Sequence, residues 1–279
     1  MGFNNIFNQI ETAAEQHNGI NEGDYLKDGL YYCGKCHTPK QVEVEFLGKK
    51  KKPFCLCKCE AERKAKEDEE RKKEEFNASV RRLRDSGFLE GDMKQWTFEK
   101  DDLQNEKLSN VAKNYVENFA EMKKRGKGLL LFGGVGTGKT YAAACIANAL
   151  IDEGRPCLMT NFARLANTLS GTFDGKQEYI DSLNKYDLIV IDDLATERNT
   201  EYMQEIVFNV IDSRYRANKP LIVTTNLTSD EISKAADTSR QRIFSRLYDM
   251  CIPFEVSGTD RRRANLRNDY SELKEKLGL

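Results

Sequence analysis

The segment Gly133-Gly-Val-Gly-Thr-Gly-Lys-Thr140 constrains the fold of this chain more than any other. It follows the apolar run 128–132 and precedes the Ala-rich run 141–150, so the predicted order is strand, glycine loop and helix. Glycine allows the backbone conformations in which successive N–H groups point inward at an anion, as a loop around phosphates requires. The segment therefore predicts a site for ATP or GTP.

The side chains and the backbone of this loop have separate predicted roles. Lys139 neutralises the β- and γ-phosphates, Thr140 offers its hydroxyl to Mg²⁺, and the start of the following helix adds its positive dipole end. The predicted cradle consists of Gly133, Gly134, Val135, Gly136, Thr137, Gly138, Lys139 and Thr140.

A second pattern lies farther along the chain, where the buried-strand sequence Leu188-Ile-Val-Ile191 runs into Asp192-Asp193. In a parallel sheet, a carboxylate at this strand end faces the phosphate loop. We expect Asp192 to hold Mg²⁺ through its water shell, together with Thr140, and Asp193 to polarise the attacking water.

Apolar runs alternate with helical patterns beyond residue 91, which predicts the α/β class, with a parallel five-stranded sheet covered by helices on both faces. The predicted strands are 129–132, 156–160, 188–191, 221–225 and 252–256. Between the third and fourth strands, apolar residues recur at the spacing of a helix with one buried face. At 279 residues, the chain is long enough for two unequal units.

Five of the eight cysteines lie between residues 33 and 59. In a cytoplasmic chain such crowding favours a metal over disulfides, and the two-residue gap in Cys33-Gly-Lys-Cys36 lets both thiolates reach one tetrahedral ion. We expect zinc on Cys33, Cys36, Cys57 and Cys59, with Cys55 as a possible substitute for one of the later pair. Because His37 follows directly, the segment also has the attachment pattern of c-type haem, the less favoured alternative.

The segment 60–75 is charged at 14 of its 16 positions and has no apolar seam, so it predicts a solvated helix rather than a coiled coil. Acidic residues stand four positions before basic ones, as in Glu67 and Arg71, which supports an isolated helix weakly. The predicted domains are a Cys-rich zinc-binding module (1–60), a charged helical linker (61–91) and a nucleotide-binding domain (92–279).

Net charge and hydropathy bound the possible functions. The formal net charge of −1 excludes a protein that holds nucleic acid by bulk positive charge. No apolar run approaches the ~20 residues of a membrane span, and the first residues lack an export signal. We expect a cytoplasmic protein without a membrane partner.

Two further patterns concern catalysis. The fourth predicted strand ends in Asn226, whose amide could orient water between the acidic residues and the γ-phosphate. Arg242 and Arg246 lie four apart on one helical face, and a guanidinium from a neighbouring subunit stabilises the charge that spreads over a transferring phosphoryl group.

The order of these motifs resembles the AAA+ family of P-loop NTPases, specifically the DnaC/DnaI-like helicase loaders and the related IstB-like transposition helpers. The resemblance covers about residues 92–263. The similar segments are Trp96-Thr-Phe98, Tyr115-Val-Glu-Asn-Phe119, Gly128-Leu-Leu-Leu-Phe-Gly133 with the phosphate loop, Leu188-Ile-Val-Ile-Asp-Asp-Leu194, Asp212-Ser-Arg-Tyr-Arg216, Thr224-Thr-Asn226 and Arg242-Ile-Phe-Ser-Arg246.

This resemblance implies catalytic roles for several residues. Asn226 takes the place of sensor 1 and Arg246 that of the arginine finger, while sensor 2 falls on an arginine in 261–263. Arg262 fits the family spacing best, and Arg261 and Arg263 stay open. Most AAA+ enzymes have Glu where this chain has Asp193, which implies slow hydrolysis. Only 23 residues follow Val256, so the usual helical lid is expected to be reduced or missing.

The resemblance also implies a function, with alternatives. The first is an ATPase that loads a replicative hexameric helicase: the zinc-binding module (1–60) contacts the helicase, and the ATPase domain (92–279) forms a homo-oligomer and binds single-stranded DNA. The second is an IstB-like helper acting on duplex DNA, although such helpers generally lack a zinc module. A small-molecule kinase would leave Asn226 and Arg246 without a task, and a protein that only binds ATP would show no turnover.

Overall fold

The computed structural model describes residues 19–46, 48–88, 91–170, 175–194, 201–233, 238–261, 273–274 and 276–278. The chain forms two compact units, Met1–Phe76 and Asn77–Leu279, called here the N-terminal unit and the C-terminal unit. The three predicted domain ranges, including the lid expected after Val256, stay predictions.

Two short antiparallel hairpins form the sheet structure of the N-terminal unit. Strand β1 (Tyr25–Lys27) pairs with β2 (Leu30–Tyr32), and β3 (Val44–Phe46) pairs with β4 (Lys49–Lys51). The first hairpin turns through Asp28-Gly29, whose φ values are both positive. This is the type I′ geometry for which an Asp-Gly pair is well suited.

Helix α1 spans Lys58–Gly87, and the division between the two units falls inside it. The helix was expected from its charge pattern, but its ion pairs differ from the predicted acid-first set. Arg71 contacts Asp68 at 2.8 Å and Glu75 at 3.8 Å, while Glu67 contacts Arg63 at 3.4 Å. All these side chains are exposed, and such pairs differ little in free energy, so the spacing alone does not select partners.

The C-terminal unit is built on five parallel strands, as predicted, in the order β6-β7-β8-β5-β9. The strands are β5 (Gly128–Phe132), β6 (Cys157–Asn161), β7 (Leu188–Leu194), β8 (Leu221–Thr225) and β9 (Cys251–Glu255). The helices are α2 (Glu106–Glu117), α3 (Phe119–Arg125), α4 (Lys139–Asp152), α5 (Phe162–Ser170), α6 (Lys176–Ser182), α7 (Glu201–Arg216), α8 (Ser229–Ser233) and α9 (Thr238–Met250). Short 3₁₀ turns lie at Asp92–Gln95, Phe98–Lys100 and Leu183–Lys185.

The sheet is buried on both faces because alternate side chains of each strand enter different apolar clusters. Leu130 of β5 and Ile189 of β7 belong to one cluster, with residues of α5, α7 and α9. Leu131 of β5 and Val190 of β7 belong to the other, with residues of α2 and α4. Complete burial of a leucine side chain contributes roughly 1.5 to 3 kcal/mol, so these layers hold the strand ends in place.

The edge strand β9 accommodates Pro253, which lacks an N–H donor and is tolerated at a sheet edge. In the part of the chain that the structure describes, no helix combines the length and the apolarity needed to cross a bilayer.

Candidate functional site

The predicted phosphate loop connects β5 to α4 and has the backbone of an anion cradle. Gly133, Gly136 and Gly138 have φ values of +123°, +74° and +99°, which side chains disfavour. A Cβ at residue 133 would also lie 2.6 Å from the carbonyl oxygen of Val256. Lys139, at the first position of α4, donates to the carbonyl oxygens of Gly133 and Gly134 at 2.8 and 2.6 Å. The loop therefore fits phosphate groups at a helix N-terminus.

One pocket of about 430 Å³ brings most of the predicted nucleotide-site residues together. The predicted residues that line it are Val135, Gly136, Thr137, Gly138, Lys139, Thr140, Asp192, Asp193 and Asn226. They come from the ends of β5, β7 and β8, which are neighbouring parallel strands in the order β7-β8-β5. Carboxylate and hydroxyl oxygens near the phosphate loop are the ligands that Mg²⁺ prefers, so Thr140 and Asp192 fit a Mg²⁺–nucleotide complex.

The two acidic residues sit on an irregular part of β7. Pairing with β8 is regular up to Ile191 and resumes, shifted, at Leu194. Asp193 has φ = +59°, a left-handed conformation that costs a non-glycine residue roughly 1 to 2 kcal/mol. Such bulges redirect side chains and are frequent beside active sites. Here the bulge lets two consecutive carboxylates line the same pocket instead of pointing to opposite faces.

Thr224 of β8 fixes both acidic residues. Its hydroxyl donates to Asp192 Oδ1 at 2.6 Å and accepts from the backbone N–H of Asp193 at 2.9 Å. The side-chain amide of Asn226 donates to Asp193 Oδ1 at 2.9 Å. An amide in this position can hold the Asp193 carboxylate and contact water beside it.

The role of Thr224 was not predicted, although this residue belongs to the segment Thr224-Thr-Asn226 that resembles the AAA+ family. A hydroxyl within a fully buried strand needs a hydrogen-bond partner, and Thr224 is 1% exposed, so this was a usable signal.

The segment that precedes α2 forms another unforeseen wall of the pocket, through Trp96 and Asp102. It is attached to α4, because Asn148 donates to the carbonyl oxygens of Met93 and Trp96 at 2.8 and 2.9 Å. Tyr141 donates to Thr97 O at 3.0 Å, and burial raises the pKa of this phenol to about 12. The sequence signal for these contacts was Asn148, a polar residue within the Ala-rich run 141–150.

Of the three candidate sensor 2 arginines, the structure describes Arg261, which lines the pocket. The backbone N–H of Arg261 donates to the carbonyl oxygen of Gly136 at 3.0 Å, and its guanidinium Nη1 lies 2.8 Å from Asp102 Oδ1. Arg262 and Arg263 lie outside the described residues, so the preference for Arg262 stays a prediction.

Arg246 of α9 is not among the residues that line this pocket. Its Nε lies 3.3 Å from Asp212 Oδ1, and its guanidinium carbon lies 4.3 Å from the centre of the Tyr215 ring. The side chain is 40% exposed. The position of Arg246 therefore does not support a role in the pocket of its own copy. Its role in the pocket of a neighbouring copy stays a prediction.

Four cysteines of the N-terminal unit converge as the sequence led us to expect. The sulfur atoms of Cys33, Cys36, Cys57 and Cys59 all lie within 4.8 Å of one another. A zinc ion with tetrahedral bonds of ~2.3 Å requires sulfurs about 3.8 Å apart. The contacts from Cys59 to Cys33 and Cys57 measure 3.6 and 3.4 Å, so the cluster fits zinc.

The surroundings of the cluster favour a cation. The hydroxyl of Thr38, 3.1 Å away, lowers the pKa of Cys36 to about 5, whereas burial raises the pKa of Cys57. A bound cation would favour the thiolate form of Cys57 and so offset the cost of burying its charge. Cys55 is exposed and faces the carbonyl oxygen of Pro39, outside the cluster.

The haem alternative draws no support from His37. Its ring lies beside Tyr25, with 3.3 Å between Nδ1 and the phenol oxygen, and it is not a member of the four-sulfur cluster.

Comparisons with known proteins agree with the motifs. Similar curated proteins include the uncharacterized protein YqaM of Bacillus subtilis (strain 168), 28% identical over 174 residues, which is 60% of this chain and 52% of YqaM. The replicative helicase loader DnaC of Escherichia coli (strain K12) is 28% identical over 127 residues, which is 44% of this chain and 51% of DnaC. The chain thus spans about half the length of these relatives.

Solved structures give the same fold. A crystal structure of the DnaC helicase loader matches with a TM-score of 0.51 at 22% identity, covering 60% of this chain and 100% of the other. One of DnaI matches with a TM-score of 0.52 at 26% identity, covering 64% and 99%. The C-terminal unit is therefore an AAA+ P-loop domain. The family model described as IstB-like ATP binding protein matches residues 64–268, more than half of the chain, and the chain belongs to that family.

Proposed function

We propose that this chain is an ATP-dependent loader of a replicative hexameric DNA helicase. One observation supports this proposal most: a nucleotide pocket and a four-cysteine cluster occur together in a chain similar to a replicative helicase loader. In this proposal the cysteine module binds the helicase, and the nucleotide bound to the C-terminal unit determines when the helicase is released.

The pocket geometry supports hydrolysis of ATP. The phosphate loop and Lys139 bind the triphosphate, and Thr140 and Asp192 would hold Mg²⁺, whose charge would offset that of the phosphate oxygens. The Asp193 carboxylate orients the attacking water or accepts its proton. The side-chain amide of Asn226 donates to Asp193 Oδ1 at 2.9 Å and holds the carboxylate in place. Because Asp is one methylene shorter than Glu, we expect turnover to be slow.

The finer parts of the proposal concern assembly and DNA. Arg246 is partly exposed and lies outside its own pocket, as expected of a finger that completes the site of a neighbouring copy. Full activity then requires a homo-oligomer. Single-stranded DNA is the proposed DNA ligand, because a loader acts where the helicase must encircle one strand.

Co-purification of the full-length chain with a replicative helicase tests the proposal. We expect a complex with the ATP-bound chain, and its loss when Cys57→Ser disrupts the cluster. Cys55→Ser is the matched control, because this thiol is exposed and outside the cluster. Lys139→Ala should remove the nucleotide dependence of the complex. Helicase binding that is unaffected by verified metal loss would contradict the assigned role of the cysteine module.

A transposition helper acting on duplex DNA is the second candidate function. The match of the IstB-like family model over 64–268 favours it. Stimulation of ATP turnover by single-stranded DNA, compared with duplex DNA of the same sequence, separates the two. A loader should respond to single strands, and stronger stimulation by the duplex would favour the helper.

A further inference from the structure

Asp212 on helix α7 is a buried carboxylate between two arginines. Its side chain is 7% exposed, with Oδ2 at 2.6 Å from Arg216 Nη2 and Oδ1 at 3.3 Å from Arg246 Nε. Oδ1 is buried and accepts no hydrogen bond within the described residues. A buried charge is costly unless it is compensated, so this carboxylate strongly favours a nearby guanidinium.

Tyr215 forms the second contact of Arg246. The guanidinium carbon lies 4.3 Å from the ring centre, within the range of a cation–π interaction. A hydrogen bond to the Asp249 carboxylate raises the pKa of Tyr215, so the ring is itself held at its hydroxyl end. Asp212 and Tyr215 are three positions apart on α7 and therefore face the same side.

The end of α7 that carries these two residues is anchored from its other side. Arg214 is completely buried and donates to the carbonyl oxygens of Tyr186 and Pro220 at 2.9 and 2.7 Å. Desolvation lowers the pKa of Arg214 to about 10, and the carbonyl groups compensate the buried charge. The last turn of α7 is thus a rigid support for a side chain on the neighbouring helix α9.

The geometry points to Asp212 and Tyr215 as positioning residues that orient Arg246 toward the nucleotide of a neighbouring copy. This inference rests on the proposed function, in which Arg246 is the finger. The ion pair places Asp212 Oδ1 3.3 Å from Nε, where the guanidinium joins the side-chain stem, while the side chain as a whole is 40% exposed. Holding the stem of a long, flexible side chain in one place reduces the conformational entropy lost when the copies assemble.

Arg242 provides a matched control, because it lies one turn earlier on α9. Its guanidinium packs on the Phe208 ring at 4.3 Å, and no carboxylate forms an ion pair with it in the described part of the chain. Arg242→Ala removes an arginine with a similar ring contact and no such ion pair.

Subunit mixing tests the inference with full-length chains. Chains with Lys139→Ala keep the finger but lack a working site, and chains with Arg246→Ala keep the site but lack the finger. When the two chains are mixed in equal amounts, ATP turnover should return. The active interfaces are those at which the Lys139→Ala chain supplies the finger and the Arg246→Ala chain supplies the nucleotide site. Adding Asp212→Asn to the Lys139→Ala chain should lower the regained kcat about 10-fold to 100-fold, with KM for ATP unchanged.

The same Asp212→Asn change placed in the Arg246→Ala chain should leave the regained turnover unchanged. Tyr215→Leu should act in the same direction as Asp212→Asn, and Arg242→Ala in the finger-donating chain should have no effect. Equal losses from both placements would show a structural role and overturn the inference, as would no loss from either. Failure of the two parent chains to complement is a separate result that overturns the finger assignment and this inference with it.

Discussion

Different interactions stabilise the N-terminal unit and the C-terminal unit. Within 19–76, the described residues that are buried are only Cys33, Lys40 and Cys57. In the C-terminal unit, both faces of a five-stranded sheet are covered by buried apolar side chains. A small unit has too little interior for an apolar core and depends on metal or charge, whereas a large unit does not.

The buried Lys40 shows how the smaller unit uses charge. Its amine contacts Asp24 Oδ2 at 2.8 Å, and Asp24 Oδ1 accepts the N–H of Gly34 at 3.0 Å. The hydrogen bond from Lys40 lowers the pKa of Asp24 to about 2, so the carboxylate stays ionised. Since Gly34 lies between the first two cysteines, this ion pair shapes the loop that presents their sulfurs.

Metal removal should produce the largest contrast between the units. Structural zinc contributes roughly 10 to 16 kcal/mol in small modules, so a chelator should unfold the N-terminal unit and leave the C-terminal unit folded. Hydrogen exchange measured by mass spectrometry on the full chain checks this. Cys57→Ser should mimic the chelator and Cys55→Ser should not. Unchanged exchange over 19–57 after verified zinc loss would contradict the comparison.

Thiol reactivity should sharpen the same contrast. Burial raises the pKa of Cys145 and Cys157 to about 12, so both thiols stay protonated at pH 8, and each residue is only 1% exposed. Iodoacetamide should label the four clustered cysteines after chelation but spare these two.

All eight cysteines should react in denaturant, which serves as the control. Rapid labelling of Cys157 in the folded chain would mean that the sheet core opens readily.

Truncating one leucine in each unit tests the contribution of apolar packing. Leu131 is fully buried, and Leu131→Ala should lower the free energy of unfolding of the C-terminal unit by about 2 to 5 kcal/mol. Leu26 is 63% exposed, so Leu26→Ala should change stability by less than about 0.5 kcal/mol. Urea unfolding followed by the fluorescence of Trp96, the single tryptophan, reports on the C-terminal unit, and hydrogen exchange over 19–57 in urea reports on the N-terminal unit. Similar losses from both substitutions would refute the contrast.

A smaller loss of stability than that of Leu131→Ala is expected at Thr224. Thr224→Val removes the donor to Asp192 and the acceptor of the Asp193 N–H, a loss of about 1 to 3 kcal/mol. ATP turnover should fall while nucleotide binding by the loop persists. Thr225→Val is the matched control, because its buried hydroxyl donates to Leu194 O at 2.8 Å and contacts neither acidic side chain. Equal loss of turnover in both variants would exclude a special role for Thr224.

Much of the fold and part of the site were predictable because their signals are local. The five strands were located to within a few residues, since buried parallel strands are short continuous apolar runs. The phosphate loop and the first cysteine pair are defined by spacings of a few residues. The contacts of Arg246 were not predictable, because Asp212 lies 34 positions earlier and its charge could equally have been solvated.

The amino-acid sequence alone determined the order of strands and helices along the chain, the glycine cradle, the first pair of cysteines expected to bind zinc and the resemblance to AAA+ ATPases. Each of these depends on residue types at short separations, where backbone geometry leaves few choices. The tertiary structure decided the bulge that places Asp192 and Asp193 in one pocket, their common partner Thr224, and the place of Arg261 beside the loop. These features arise only when distant strands pair, because the hydrogen bonds and charges involved find their partners across the folded sheet.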